Sequence, residues 1–228
     1  MKHIFPRYMS TTEGKFLSAV VLIIIGLFAY YFYSGGLSSS EGEVIDIAVS
    51  ETDHVRGAKD GQVTLVEFGD FQCPACAAYE PIVKQVLADN KDTLKLVYRH
   101  FPLTQIHKNA LGAAIATEAA GVQGKFWEMH DILYDKQEEW GNALNARDYF
   151  LTYATTIGLD TKKFQESLSN ESLEAKVLAE FREGVRLGVQ GTPTFFLNGK
   201  KLDNPLDLAR FNSLVKEASK ESTLPSSN

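Results

Sequence analysis

Two cysteines, three positions apart, are the only ones in the chain, and they stand between a strand-like run and a helix-like run. Val63 to Phe68 reads VTLVEF, a short β-branched and apolar segment that ends at Gly69 and Asp70, as a buried central strand would. Cys73-Pro74-Ala75-Cys76 follows at once. From Ala75 to Leu87, Tyr79, Ile82, Val83 and Val86 fall on one face of a predicted helix, and Leu94 to Tyr98 (LKLVY) is a second strand candidate. Strand, helix and strand over this length form a βαβ unit, which favours a parallel pair and an α/β fold.

The junction has a chemical consequence. A cysteine at a helix N-terminus faces free backbone amides and the positive end of the helix dipole, which stabilise a thiolate, the species that attacks disulfides. Pro74 falls at the first helical position, where its missing N–H costs nothing and its fixed φ prepares the turn. Cys76, one turn further in, is the more shielded sulfur. The spacing therefore predicts an exposed, attacking Cys73 and a resolving Cys76. Two other readings exist. A zinc site needs about four ligands, and His100, His107 and His130 are too scattered to supply a recognisable second pair. A structural disulfide does not need a strand–CPxC–helix setting.

Glu67 lies six residues before Cys73, within the strand, where alternation puts it on the face of Leu65. A carboxylate in so apolar a strand is costly without a partner or a role. With its pKa raised by burial it would exchange protons with Cys76 through water; on the plain alternative the strand is less buried and Glu67 is exposed. Far downstream, Gly191-Thr192-Pro193-Thr194 precedes another strand candidate, Thr194 to Leu197 (TFFL). Pro193 cannot donate to a ladder, so it belongs at the strand start. It is either a turn proline or, with a cis Thr192–Pro193 bond beside the cysteines, a place where the Thr192 backbone pairs with an extended peptide.

Between these parts the chain is helical in pattern over 105–185, with glycines at 121, 124, 141 and 158 as breakers. Asn198-Gly199 reads as a tight turn and Lys200-Lys201-Leu202 as the returning hairpin partner. Leu206 to Ala218 is expected to form a closing helix, and 219–228 a disordered tail.

The N-terminus bears on location. Phe16 to Tyr33 reads FLSAVVLIIIGLFAYYFY, with no charged residue, and spans roughly 27 Å as a helix, close to the hydrocarbon thickness of a bilayer. Lys2, Arg7 and Lys15 precede it, Glu41 and Glu43 follow, and Tyr30, Tyr31, Phe32 and Tyr33 mark an interfacial belt. This predicts a cytoplasmic N-terminus (1–15), a retained single-pass anchor (16–33), a linker (34–49) that begins with a short tether at Ser34 to Ser40, and a catalytic part outside the cytoplasmic membrane. A cleaved signal peptide is the alternative. With Lys2, Arg7, Lys15 and Glu13 set aside, 20 basic and 28 acidic residues remain, a balance of −8 that offers no phosphate-binding surface and excludes nucleic acid as a natural partner.

Taken together, VEFGDFQCPAC, the segment Tyr98-Arg99-His100-Phe101-Pro102-Leu103 and Gly191-Thr192-Pro193-Thr194-Phe195 resemble the thioredoxin superfamily, specifically the DsbA-like bacterial disulfide oxidoreductases, over about residues 50–217. The resemblance implies a thioredoxin fold in two parts (50–104 and 186–218) interrupted by the helical insertion (105–185). It implies disulfide donation to reduced exported proteins and reoxidation by a quinone-linked membrane partner of the DsbB or VKOR type. Cys73 matches the nucleophile, Cys76 the resolving cysteine, Glu67 the buried acid, and Thr192 with Pro193 the substrate-binding pair. No cofactor or metal is implied. Ala75 departs from the histidine of many enterobacterial members, which leaves the strength of the oxidant open. A reductase or isomerase on the same fold, and a peptide-binding module with an inert disulfide, are the competing functions.

Overall fold

The computed structural model describes residues 20–28, 30, 44–205 and 207–223. Of the predicted anchor, 16–19, 29 and 31–33 lie outside the described residues, as do the tether, 1–15 and 224–228. Residues 20–28 and 30 are helical with exposed apolar side chains and belong to a compact unit that ends at Glu41, separate from the unit that carries the cysteines. Among the described residues no helix is long and apolar enough to cross a membrane.

The second unit is built on one five-stranded sheet of order β1-β3-β2-β4-β5. Its strands are β1 (His54–Gly57), β2 (Val63–Gly69), β3 (Leu94–His100), β4 (Thr194–Leu197) and β5 (Lys200–Lys201). β2 and β3 are parallel, with Val63 opposite Leu94 and Glu67 opposite Tyr98, and the helix α1 (Pro74–Asp89) makes the crossover. The other pairings are antiparallel. Asn198 and Gly199 both have positive φ (47° and 79°), as a two-residue hairpin that follows the strand twist requires. A Cβ at Gly199 would also collide with the Ile45 carbonyl, whose own N–H donates to the Gly199 carbonyl at 3.0 Å.

Both faces of β2 are buried, which is why it reads as an apolar run rather than an alternating one. On one face Val63, Leu65, Leu94, Leu96, Phe195 and Leu197 pack against Val83, Val86 and Leu87 of α1. Phe211 and Val215 of the final helix, α8 (Leu208–Thr223), close that layer. On the other face Val66, Phe68, Val97 and Phe196 meet Phe101 and Phe181.

The insertion between β3 and β4 contains α2 (Ala110–Gly121), α3 (Phe126–Asp135), α4 (Gln137–Trp140), α5 (Ala146–Thr156), α6 (Thr161–Ser167) and α7 (Glu171–Arg186). The buried alanines of α2 present no bulk, so its neighbours approach closely and share one core with Phe71, Cys76 and Tyr98. Polar contacts fasten the insertion to the sheet. His54 Nε2 of β1 and His100 Nε2 of β3 lie 2.9 and 3.0 Å from a Glu118 oxygen, and Lys176, within the insertion, holds both Glu118 oxygens at 2.8 and 2.9 Å.

Two features differ from expectation. The sequence reading contained no counterpart of β1, whose HVRG composition lacks a strand pattern; it pairs antiparallel with β3, and its Arg56 is held by both Asp131 oxygens at 3.0 Å. The closing helix was expected to end at Ala218 with a disordered tail from 219, but it continues to Thr223. The Ser222 hydroxyl donates to the Ala218 carbonyl at 3.0 Å and accepts from Asn198 Nδ2 at 3.2 Å, which ties the last turn to the hairpin.

Candidate redox site

Cys73 is the N-cap of α1, with extended φ and ψ of −72° and 120°, and Pro74 follows at the first helical position, as its fixed φ favours. Pro74 and Ala75 are exposed, while Cys76 is 1% exposed and sits in the core shared with the insertion. Cys73 is more covered than the helix-terminus argument predicts, at 7% exposure. The covering comes from the loop before β4, where Thr192–Pro193 is cis and the Cys73 Sγ donates to the Thr192 carbonyl at 3.3 Å. The five candidates Cys73, Cys76, Glu67, Thr192 and Pro193 are thus brought around one helix end by the βαβ unit and the β2–β4 pairing.

The two sulfurs are pushed in opposite directions. A hydrogen bond from the Cys76 thiol is the largest influence on Cys73; with the Thr192 side chain and the backbone amides of Cys76 and Ala75, it outweighs burial and lowers the Cys73 pKa to about 5. Burial is the first cause that raises Cys76 well above its ordinary value, and the neighbouring Cys73 and Glu67 add to it. One helix turn therefore separates a sulfur that ionises readily from one that keeps its proton.

Glu67 is 2% exposed, so the strand is not the exposed one of the plain alternative. Its Oε2 has no hydrogen-bond partner among the described residues. Burial, and then the nearby Glu80, raise its pKa well above the usual carboxylate range. A neutral carboxyl is the form such surroundings favour.

The sequence reading did not single out the residues that shape the approach to Cys73. Asp70 accepts from the backbone N–H groups of Gln72 (2.7 Å) and Leu103 (2.9 Å) and contacts His107 Nδ1 at 2.7 Å, which ties the loop after β3 to the cysteine turn. The Gln72 side chain donates to the Gly141 carbonyl and accepts from the Asn109 N–H, both at 2.7 Å. The Gln137 amide donates to the carbonyls of Phe71 (2.7 Å) and Cys73 (3.0 Å). Of these, Asp70 had a local signal, since it sits at the strand end beside the motif. Gln137 had none.

Among the described residues, two clusters place metal-ligand atoms within 4.8 Å of one another: Glu80, His130 and Asp131; and His100, Glu118 and Glu180. Each already holds a side-chain cation, Arg56 on Asp131 and Lys176 on Glu118.

Comparison with known proteins agrees with this geometry. A family model described as thioredoxin matches residues 49–217. Among solved structures, a thioredoxin-like oxidoreductase from Silicibacter pomeroyi DSS-3 is 28% identical, covering 75% of this chain and 94% of its own, with a TM-score of 0.64. BdbD from Bacillus subtilis is 25% identical over 74% of this chain and 93% of its own (TM-score 0.64). Wolbachia pipientis alpha-DsbA1 shares the fold at 16% identity and a TM-score of 0.67, over 77% of this chain and 95% of its own. A curated relative, the Na(+)/H(+) antiporter NhaA 3 of Salinispora tropica, is 40% identical over 80% of this chain; the matched part is 27% of that relative, so the chain spans about a quarter of its length. The strand–CPAC–helix junction, the split pair of sulfurs and the helical insertion thus have one common source: the chain belongs to the thioredoxin family, and its fold closely resembles that of the DsbA-like proteins.

Proposed function

We propose that this protein donates disulfides to reduced exported proteins, with Cys73 as the attacked and attacking sulfur and Cys76 as the resolving one. The observation that carries the reading is the opposed pair of pKa shifts, Cys73 down to about 5 and Cys76 well up. A stable Cys73 thiolate favours the reduced protein, which makes its disulfide a ready electron acceptor.

In the forward step a client thiolate attacks Cys73 Sγ of the Cys73–Cys76 disulfide. The S–S bond breaks, its electron pair leaves on Cys76, and a client–Cys73 mixed disulfide forms. The buried Cys76 sulfur then takes a proton, which the neutral Glu67 carboxyl nearby supplies. A second client thiolate attacks the client sulfur of the mixed disulfide, and Cys73 leaves as the thiolate. The client gains one disulfide and the protein is left reduced.

Thr192 and cis Pro193 border the sulfur and present backbone to an extended client segment, while exposed Pro74 and Ala75 form the opposite rim. Reoxidation falls to a quinone-linked membrane partner of the DsbB or VKOR type. The uncharged segment 16–33 supports a single-pass anchor in a bacterial cytoplasmic membrane with the catalytic part outside. In domain terms the reading assigns 50–104 and 186–218 to the thioredoxin part and 105–185 to the insertion.

Equilibration of the full chain with glutathione tests the direction of electron flow. A potential near about −120 mV supports disulfide donation, whereas one near about −270 mV overturns it in favour of a reductase.

A further inference from the structure

The helical insertion and the cysteine turn hold one another through two glutamines. Gln72, immediately before Cys73, reaches outward to the Gly141 carbonyl and the Asn109 N–H. Gln137, the first residue of α4, reaches inward to the carbonyls of Phe71 and Cys73. The Cys73 carbonyl also accepts at the start of α1, from the Ala77 N–H at 3.2 Å. Two carbonyl acceptors require the amide NH₂ of Gln137, so a carboxylate of the same shape is unable to replace it.

This contact differs in kind from the rest of the clasp. The oxygens of Phe71 and Cys73 are the negative ends of peptide dipoles in the turn that carries the sulfur. A donor placed on them offsets negative potential at that turn and fixes its path into α1, so the amides of Ala75 and Cys76 remain directed at Sγ. We propose that Gln137 is a positioning residue for thiol–disulfide exchange, through which the helical insertion sets the charge state and reactivity of Cys73. The inference rests on the reading of Cys73 as the attacking thiolate.

The test uses the reduced full chain and follows thiolate absorbance in the ultraviolet against pH, together with the glutathione equilibrium constant. Gln137→Met keeps the bulk and removes the donors. One neutral hydrogen bond is worth a factor of about 2–10, so the Cys73 acid dissociation constant should fall about three- to tenfold. The equilibrium should shift by the same factor toward the oxidised protein, and tenfold is about 30 mV for this couple. Gln137→Glu places like charge against the carbonyls and should lower the constant further. Gln137→Lys restores a donor and should return the constant to within about twofold of the parent, or above it.

A parent titration at the ordinary thiol value would overturn the reading of Cys73 and the inference with it. A depressed parent value with all three variants matching it would overturn the inference alone. So would an equal loss of thermal stability in the three without any change in titration, because that is the mark of a brace and nothing more. Asn109→Ala removes the side-chain donor from the carbonyls of Trp140 and Ala143 but keeps the backbone N–H that Gln72 accepts, and should loosen the insertion while leaving the titration within about twofold of the parent.

Discussion

The sulfur of Cys73 lies 3.3 Å from the carbonyl oxygen of Thr192, a residue 119 positions away. That carbonyl accepts from the thiol and has nothing to offer the thiolate, so it opposes ionisation. Burial also opposes ionisation; the Cys76 thiol first, then the Thr192 side chain and the α1 amides, outweigh it, and the pKa settles at about 5. The folded value is depressed from 9.0, so the stabilisation of the reduced form is present at neutral pH and is lost as pH falls through about 5. At pH 7 it amounts to about 2–3 kcal/mol, or about 60 mV. Iodoacetamide capture of Cys73 should rise with a midpoint near pH 5, and a midpoint near that of an ordinary thiol would contradict the site geometry.

Cys76→Ser removes the resolving sulfur and leaves Cys73 in place. Mixed disulfides with clients should accumulate and persist until a reductant is added. Non-reducing electrophoresis followed by peptide mapping should find them on Cys73; a higher yield from Cys73→Ser, mapped to Cys76, would reverse the two roles.

Glu67 carries a folded pKa above its unfolded one. Its share of stability is fully present below the unfolded value of about 4.5 and is lost as pH rises toward the folded value. Glu67→Gln removes that loss and leaves the protein relatively more stable at pH 8 than at pH 4, compared with the parent. The same variant should slow the protonation of Cys76 when the disulfide opens. Thermal unfolding across pH, paired with stopped-flow reduction, checks both effects.

Gly184 sits inside α7, where alanine would ordinarily gain about 1 kcal/mol. A Cβ there would lie 2.7 Å from the Phe101 ring and 3.0 Å from that of Phe68, both buried. The overpacking cost of about 1–3 kcal/mol wins, so Gly184→Ala should lower the unfolding midpoint in denaturant. A rise would show that the two rings yield freely.

Arg99 is buried between Asp53 and Glu183 at 2.9 and 2.8 Å and also donates to the Ala48 carbonyl at 2.7 Å. Arg99→Met leaves the 5%-exposed Asp53 side chain without its cation, and should cost about 3–5 kcal/mol. Arg99→Met combined with Asp53→Asn should recover much of the loss, which denaturant titration will measure.

Local patterns carried most of the fold. The β2–α1–β3 unit is legible because an apolar run, a proline at the first helical position and a second apolar run occur within forty residues, and the Asn198-Gly199 turn is legible because few residues accept positive φ. β1 is not legible, since HVRG has no strand pattern and the partner of its Arg56, Asp131 of α3, lies far along the chain. The degree of cover over Cys73 depends on Thr192, and the carbonyl contacts of Phe71 and Cys73 depend on Gln137; both lie far along the chain and carry ordinary local composition. Glu80 is similar: Lys84, one turn later, makes it look like half of a surface pair, yet its side chain is 5% exposed and pointed toward His130.

The insertion of six helices between β3 and β4 has a consequence during synthesis. β4 is the strand that covers the free edge of β2, and it follows Cys76 by more than a hundred residues. As the chain emerges in order, the reactive sulfur and a bare, apolar strand edge are made long before the segment that closes both. The nascent chain passes through an interval in which it is itself an unprotected thiol client with a sticky edge.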